Sequence, residues 1–245
     1  MLRAMRKYTT RNYDRNTFYC FSPPVMIATF VIEIALAVWA IVRYKPSTAT
    51  WLATALLSFL ALFQLAEYLV CQKLGGDALL WSRIGFMSTT MLPPLGIHLV
   101  HVLAGAKKRL LVWPAYALAA LFIAFFALVG RSLDGHACMG NYVIFQVAPG
   151  FGGLYGVYYY GLLIGTLLLG LSFIRRSRQR KTKKALGALM FGYAIFLIPT
   201  TTASLLKPET ISAIPSIMCG FAVLLALVLS FIVLPIGAQK KMPKK

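Results

Sequence analysis

Residues Trp51 to Gln72 read WLATALLSFLALFQLAEYLVCQ, a run long enough to cross a bilayer as one helix. The run nevertheless contains a carboxylate. On a helix, Gln64, Glu67 and Cys71 stand at positions i, i+3 and i+7 and share one face, while nearly all the other residues are apolar. Because an ionisable side chain inside a membrane span costs free energy, Glu67 marks a candidate functional site.

The composition of the whole chain indicates an integral membrane protein. Of its 245 residues, 59% are hydrophobic and only 13% are charged, and the mean hydropathy is +0.74. The net charge of +19 does not indicate nucleic-acid binding, because the Lys and Arg residues lie between and beyond apolar segments, where they set topology and contact anionic lipid headgroups. The basic first 23 residues lack the apolar core of a signal peptide, so we expect the first span to direct insertion.

Seven segments of the sequence are long enough to cross a hydrocarbon core of about 30 Å, which requires about 20 apolar residues per helix. We therefore predict an all-α membrane protein, with a seven-helix transmembrane domain at 24–236 between basic tails at 1–23 and 237–245. The predicted spans are 24–44, 51–72, 82–104, 110–130, 153–174, 185–206 and 213–236.

The distribution of Lys and Arg predicts the orientation of this bundle. One side holds the loops near Arg43, near Lys107 and at 175–184, together with the C-terminal tail, and carries sixteen basic residues, whereas the other side carries nine. Basic loops are retained in the cytoplasm. We therefore predict that the N-terminus lies outside and the C-terminus inside, in a cell membrane of bacterial type.

This orientation places a group of polar side chains at the outer end of the bundle. Glu67 lies about five residues, or about 7 Å, from the outer end of its helix, and tyrosines and threonines of the fifth and sixth spans lie at a similar depth. Each hydroxyl alone is more typical of bonding between helices. Together with Glu67, and with Arg83 as its counter-charge, they predict a pocket open to the exterior. The candidate ligand-binding residues are Gln64, Glu67, Arg83, Tyr158, Tyr159, Tyr160, Thr200 and Thr201.

A second carboxylate, Glu33, lies about nine residues into the first span, near the midplane of the bilayer. Burial favours the neutral, protonated form of such a group, which would then form a structural hydrogen bond to an adjacent helix. The alternative is that Glu33 and Glu67 carry a proton or a cation, as the coupling groups of a transporter do.

His98 and His101 stand at i and i+3 of the third span, and one helix face with two imidazoles can bind a metal or provide an axial haem ligand. A metal site needs a third and a fourth ligand, and interhelical hydrogen bonding is the alternative role. An intramembrane metal or haem protein, with or without enzyme activity, is therefore our second functional hypothesis. No H-E-x-x-H or G-x-S-x-G motif occurs, and the last span has no Lys for a retinal Schiff base.

The outer loops contain cysteines that could form a disulfide. Cys138 follows the fourth span, and either Cys20 or Cys71 could be its partner, because all three lie towards the oxidising exterior in the predicted topology.

Glycines at 152, 156, 161 and 165 form two G-x-x-x-G spacings along the fifth span. Small residues at this interval let a second helix approach closely, so we predict a helix-packing face here.

Three short segments resemble the seven-transmembrane sensor region that precedes the kinase in bacterial histidine kinases. They are LWSRIGF at 80–86, LPPL at 92–95 and APGF at 148–151, which leads into a tyrosine-rich helix. The resemblance covers about 25–236 and implies a sensor of signals at the membrane. Only nine residues follow Ile236, so we expect no kinase on this chain and output through a separate partner.

The first third of the chain is similar to uncharacterised seven-helix bacterial membrane proteins that share Cys-Phe-Ser and Gln-x-x-Glu motifs. Here these are Cys20-Phe21-Ser22 and Gln64-Leu65-Ala66-Glu67. The similarity implies that Cys20, Gln64 and Glu67 belong to one site, and it implies no activity.

From these observations we expect a non-enzymatic receptor or sensor without a cofactor. Movement around Pro93-Pro94 and Pro199 would change the basic inner loop at 175–184, which would hold anionic lipid or a cytoplasmic signalling partner.

Overall fold

The computed structural model describes residues 23–74, 76–107, 110–130, 132–138, 143–148, 150–206 and 214–238. These residues form seven helices and one β-hairpin, and Cys20 lies outside them. The helices are α1 (Pro23–Arg43), α2 (Thr48–Gln72), α3 (Ala78–Leu103), α4 (Val112–Leu128), α5 (Phe151–Arg176), α6 (Arg180–Leu206) and α7 (Ile214–Val228), the last continuing through a π-helical turn (Leu229–Val233) into a final turn (Leu234–Gly237). The strands are β1 (Leu133–Cys138) and β2 (Val143–Val147).

Six of the described helices are long and apolar enough to cross a membrane, and they are α1, α2, α3, α5, α6 and α7. The protein is therefore a multi-pass membrane protein with an all-α bundle. Helix α4 is apolar but has only 17 residues. At 1.5 Å per residue it extends about 26 Å, which is less than the hydrocarbon thickness of about 30 Å. The predicted span at 110–130 is thus shorter than expected, because the chain leaves the helix at Val129 and turns towards the hairpin.

Local capping interactions set the ends of the two central helices. The hydroxyl of Ser47 accepts a hydrogen bond from the backbone N–H of Thr50 at 3.2 Å and caps the start of α2. Lys73, with φ of 55°, closes its end. Asp77 then caps α3 by accepting from the N–H of Leu79 at 2.9 Å.

Helices α2 and α3 form the centre of the bundle. Their most apolar windows have 67% and 72% of residues buried, whereas the corresponding windows of α1 and α5 have 33% and 28%. Because α2 carries Gln64 and Glu67, both polar side chains belong to the most enclosed helix pair of the structure.

The connection between α4 and α5 contains an antiparallel β-hairpin, which the sequence analysis treated as a loop. In its register Leu133 pairs with Val147, His136 with Phe145 and Cys138 with Val143, and an irregularity lies between Leu133 and Gly135. The segment VIFQV of β2 is rich in β-branched and aromatic residues, a composition that favours a strand.

The predicted packing role of the α5 glycines is not present in the described part of the chain. A Cβ atom added at Gly156, Gly161 or Gly165 would meet nothing within 4 Å, and the nearest atom to one at Gly152 is 3.9 Å away. Close approaches occur instead at other glycines, among them Gly170 of α5, which meets Met190, and Gly96 of α3, which meets the hydroxyl of Tyr193 of α6.

We expect Gly96→Ala to lower the free energy of unfolding by about 1–3 kcal/mol, the usual cost of overpacking a filled core. The added methyl group would overlap the hydroxyl of Tyr193, which is only 2% exposed and cannot move aside freely. Denaturation of the purified protein in detergent measures the effect. The control is Gly161→Ala, which adds the same group in open space. Failure of Tyr193→Phe to restore part of the lost stability would contradict the assigned contact.

Candidate functional site

The C-terminal half of α2 presents one face to the hairpin. Phe63, Glu67 and Cys71 are spaced four residues apart, so they lie one above another on this face. The ring of Phe63 packs against Phe145 of β2, with centroids 6.0 Å apart, and Cys71 forms a disulfide with Cys138 of β1. Glu67 therefore lies between the two points at which the hairpin is attached to α2.

The hairpin turns one face towards these residues. Directly paired residues of an antiparallel hairpin lie on the same face, as do residues two apart on one strand. Phe145, His136 and Cys138 therefore share one face, from which Phe145 and Cys138 contact Phe63 and Cys71 of α2. Phe145 is 3% exposed and also contacts Phe86 of α3, with centroids 5.4 Å apart, so the hairpin is packed into the bundle.

Gln64 and Glu67 are both enclosed within the protein. Each is 1% exposed, although the sequence predicted a pocket open to the exterior. The side-chain amide Nε2 of Gln64 has no hydrogen-bond partner among the described residues. Buried polar groups in proteins are almost always hydrogen-bonded, so this donor is a candidate contact for a bound molecule.

His136 is the titratable residue on the hairpin face that also carries Phe145 and Cys138. Burial of the imidazole, followed by the positive charge of Lys73, lowers the pKa of His136 below its usual value. The ring is therefore neutral at neutral pH, where it can donate from one nitrogen and accept at the other. The hairpin thus carries a neutral hydrogen-bonding group on the face that also holds Phe145 and Cys138.

Arg83 binds the end of α4. Its guanidinium donates to the backbone carbonyls of Val129, at 3.4 Å, and Gly130, at 2.7 Å. These carbonyls follow the last turn of α4, where basic side chains commonly satisfy free acceptors. We predicted Arg83 as the counter-charge of Glu67, and the contacts seen here are those of a residue that fixes the entry to the hairpin.

Tyr158 completes the hydrogen bonding of a proline-containing turn in α3. Pro94 has no N–H, so the carbonyl of Thr90, four residues earlier, loses its helical donor. The hydroxyl of Tyr158 donates to this carbonyl at 2.7 Å. In a membrane helix such a replacement donor makes a proline tolerable, and the Tyr158 hydroxyl is thereby engaged.

We expect Tyr158→Phe to lower the free energy of unfolding by about 1–3 kcal/mol, because the buried carbonyl of Thr90 would be left without a donor. The matched control is Tyr160→Phe, whose hydroxyl bonds the exposed Thr201 side chain, and its effect should be smaller. Thermal unfolding of both variants in detergent compares them. Equal losses would show that the proline-freed carbonyl has no special requirement.

The tyrosine and threonine hydroxyls near Tyr158 mainly contact one another and the helix backbone. Tyr155 approaches Thr89 and Thr90 at 3.1 and 3.2 Å between oxygens. Thr200 is fully buried and donates to the carbonyl of Phe196 at 2.7 Å. Tyr159 lines a central cavity of about 20 Å³, which has room for about one water molecule. The tyrosine and threonine cluster is therefore largely filled by its own hydrogen bonds.

The two histidines of α3 have separate surroundings. Nδ1 of His98 lies 3.3 Å from the hydroxyl of Tyr116 in α4. Nδ1 of His101 lies 2.8 Å from the carbonyl of Ile97, and its ring meets Phe173 of α5 edge-on. Over the described residues no group of three or more His, Cys, Asp or Glu is placed to hold a metal ion.

The geometry places four of the predicted residues together and separates the rest. Gln64, Glu67 and the Cys71–Cys138 bridge form one enclosed site on α2.

Comparison with known proteins adds no relative. No protein-family model matches the chain, and neither does any curated protein or solved structure. Residue-level geometry is therefore the ground for assigning a function.

The covering role of Phe145 and His136 was missed by the sequence analysis. The signal was present, because VIFQV has the β-branched and aromatic composition of a strand and follows the loop that contains Cys138. A strand at this position, paired with the segment that contains Cys138, would have predicted a hairpin between α4 and α5.

Proposed function

We propose that this protein is a multi-pass membrane receptor or sensor that binds a small ligand at Gln64 and Glu67, beneath the disulfide-anchored hairpin. In this proposal α4 is embedded with the six longer helices, the N-terminus and the hairpin lie outside, and the basic α5–α6 junction lies in the cytoplasm of a bacterial-type cell.

One observation carries the proposal. The buried Nε2 of Gln64 has no acceptor among the side chains and backbone groups that the structure describes, and it lies one helical turn from a carboxylate that is 1% exposed. Leaving such a donor unsatisfied costs about 1–3 kcal/mol. A ligand that accepts from Gln64 and donates to Glu67 would recover this free energy.

The chemistry of the two side chains suggests the class of ligand. Glu67 favours a protonated amine or a hydroxyl donor, while Gln64 Nε2 requires an acceptor atom. Glu67 lies one helical turn from Phe63, whose ring packs against Phe145, so aromatic rings border one side of the site. A small amino alcohol or amine satisfies these requirements better than an anion does, because an anion would face the carboxylate.

A signal would leave the site through α3. The hairpin packs on Phe86 of α3. The same helix contains Pro93 and Pro94, and Tyr158 donates to the carbonyl of Thr90 that Pro94 leaves without a helical donor. Movement of the hairpin would therefore reach a proline-containing helix and, through α5, the basic junction at 175–184. The similarity of three sequence segments to sensor regions of histidine kinases supports this direction of signalling, with a separate cytoplasmic partner or anionic lipid at the junction.

The test is a thermal-shift measurement on the purified full-length protein with ethanolamine, propylamine and, as a neutral comparison, propanol. At a concentration of 100 times the dissociation constant, a bound amine should stabilise the protein by about 2.7 kcal/mol. We expect Glu67→Gln to abolish this effect and Gln64→Leu to reduce it. Gln72→Leu, at the end of the same helix and half-buried, is the control and should retain it. Amine shifts of equal size in wild type and Glu67→Gln would refute the assignment.

A further inference from the structure

Glu33 of α1 is a fully buried carboxyl group at the level of the membrane interior. It is 0% exposed, and neither carboxyl oxygen has a hydrogen-bond partner among the described residues. The residues beside it, Ile32 and Ile34, are 41% and 38% exposed on the lipid side. The carboxyl group is therefore turned into the bundle, where an unsatisfied acid requires an explanation.

Packing contacts place Glu33 against α2 and α7. Leu36 and Ala37 of α1 pack with Leu57 and Ala226, and one turn further along α1 Ala40 packs with Ala53 and Leu234. Helix α2 therefore runs antiparallel to α1, and α7 runs parallel to it. One turn in the opposite direction, Glu33 is level with the small residues Ala61 and Ala222, which are also buried.

Two hydroxyl groups without partners lie on the same helices, towards the end where α1 meets α2. Thr54 Oγ1 of α2 and Ser230 Oγ of α7 are buried, and neither has a hydrogen-bond partner within the described structure. This differs from the ordinary pattern in the other helices of the bundle, where hydroxyls donate to the carbonyl four residues earlier. Thr29, Ser82, Ser88, Thr90, Thr166 and Thr200 all do so.

Ser230 also lies in the π-helical turn of α7. There the N–H of Leu234 bonds the carbonyl of Leu229, five residues back. Single π-helical turns inside α-helices occur frequently at functional sites. Ala226 packs at the level of Ala37 of α1, and Ala53 packs at the level of Ala40. Thr54 and Ser230 lie between these two levels, which places them one to two helical turns from Glu33. Three unsatisfied polar groups thus follow the contact between α1, α2 and α7.

The charges on these helices leave Glu33 without a counter-ion. Arg43 is the only basic residue of α1, about 15 Å away at 1.5 Å per residue. On α2 the titratable side chains are Glu67 and Tyr68, both nearer the hairpin, since Cys71 is held in the disulfide and does not titrate. In the sequence of α7, from Ile214 to Gly237, Cys219 is the only titratable residue. Glu33 is therefore most stable as the neutral acid.

We propose that Glu33 is an exchangeable proton-binding site inside the membrane, reached by water past the hydroxyls of Thr54 and Ser230. A proton from water adds to a carboxylate oxygen of Glu33 on binding and returns to water on release. A metal cation is a poorer occupant, because it would need several oxygen ligands converging on one point. This site does not depend on ligand binding at Gln64 and Glu67.

Infrared spectroscopy of the full-length protein, labelled with ¹³C in the glutamate carboxyl groups, tests the proposal. The chain has only three glutamates, Glu33, Glu67 and Glu209, so few groups carry the label. At neutral pH we expect a labelled carbonyl band of a protonated acid that is lost in Glu33→Gln and retained in Glu67→Gln. Absence of any labelled acid band from the wild type would overturn the proposal without reliance on a variant, and so would a band that persists in Glu33→Gln.

Transfer of the protein to D₂O tests exchange. We expect the Glu33 band to shift as the proton is replaced, and the double variant Thr54→Val, Ser230→Ala to slow this shift by about tenfold, the factor expected for a lost hydrogen bond of about 1.4 kcal/mol. Thr166→Val, which removes a hydroxyl bonded to its own helix, is the control. A band that never exchanges in the wild type would indicate a purely structural acid, and suppression of the band by sodium ions would indicate a cation site. Either result would overturn the proposal.

Discussion

Loss of the Cys71–Cys138 disulfide should lower the stability of the protein by up to about 4 kcal/mol. The bridge closes a loop with a sequence separation of 67 residues, and the chain-entropy relation gives about 4 kcal/mol for a loop of that length. Helices that stay inserted in the bilayer restrict the unfolded chain, so this value is an upper limit. The measurement is thermal or denaturant unfolding of wild type and Cys138→Ser, in detergent and in lipid.

The same change should uncover the site, because the bridge is one of the two attachments of the hairpin to the face of α2 that carries Glu67. We expect Glu67 to react with a water-soluble carbodiimide and an amine after reduction or in Cys138→Ser, and to be protected in the oxidised wild type, where it is 1% exposed. Peptide mass spectrometry locates the modified residue. Treatment of Cys138→Ser with dithiothreitol is the control and should change nothing further. If Glu67 remains protected without the bridge, another part of the protein covers it.

The membrane class and the helix positions followed from the sequence because they depend on local quantities. A run such as 51–72 is apolar over the thickness of a bilayer whatever it packs against. Helix α4 shows the limit of this reasoning. Its 17 residues form a shorter helix than the apolar segment 110–130 suggested, and Arg83 of α3 binds the carbonyls beyond its last turn. That contact joins residues 46 and 47 positions apart and has no local sequence signal.

The site was predicted less completely, since burial depends on neighbours that are distant in sequence. The pattern of Gln64, Glu67 and Cys71 on one helix face located the polar residues. It could not indicate that Phe145 and Cys138 would cover them, because both contacts arise from pairing within a hairpin more than 60 residues later. The same limitation applies to Tyr158. Its hydroxyl suggested a ligand contact. In the structure it donates instead to the carbonyl of Thr90, which lacks a helical donor because Pro94 has no N–H.

The second large effect is expected from Phe145→Ala, which should lower the free energy of unfolding by about 3–5 kcal/mol. This is the usual range for removing a buried phenylalanine ring, and it combines lost burial with the cavity that remains. Phe145 is 3% exposed and packs on both Phe63 and Phe86, with ring centroids 6.0 and 5.4 Å away. The variant leaves the disulfide intact, so it removes only the attachment on the other side of Glu67.

Comparison of Phe145→Ala with Phe151→Ala separates uncovering of the site from general weakening. Phe151 stacks on Phe125 at 4.5 Å but is 43% exposed, so its removal should cost less and leave Glu67 protected. We expect Phe145→Ala to increase carbodiimide labelling of Glu67 at temperatures well below unfolding, because the hairpin then holds α2 only through Cys138. Amine-induced stabilisation should weaken in parallel, since a ligand at Gln64 and Glu67 would lose one wall of its site. Unchanged labelling in a folded Phe145→Ala protein would mean that the ring stabilises the hairpin without enclosing Glu67, and the disulfide alone would then account for the cover.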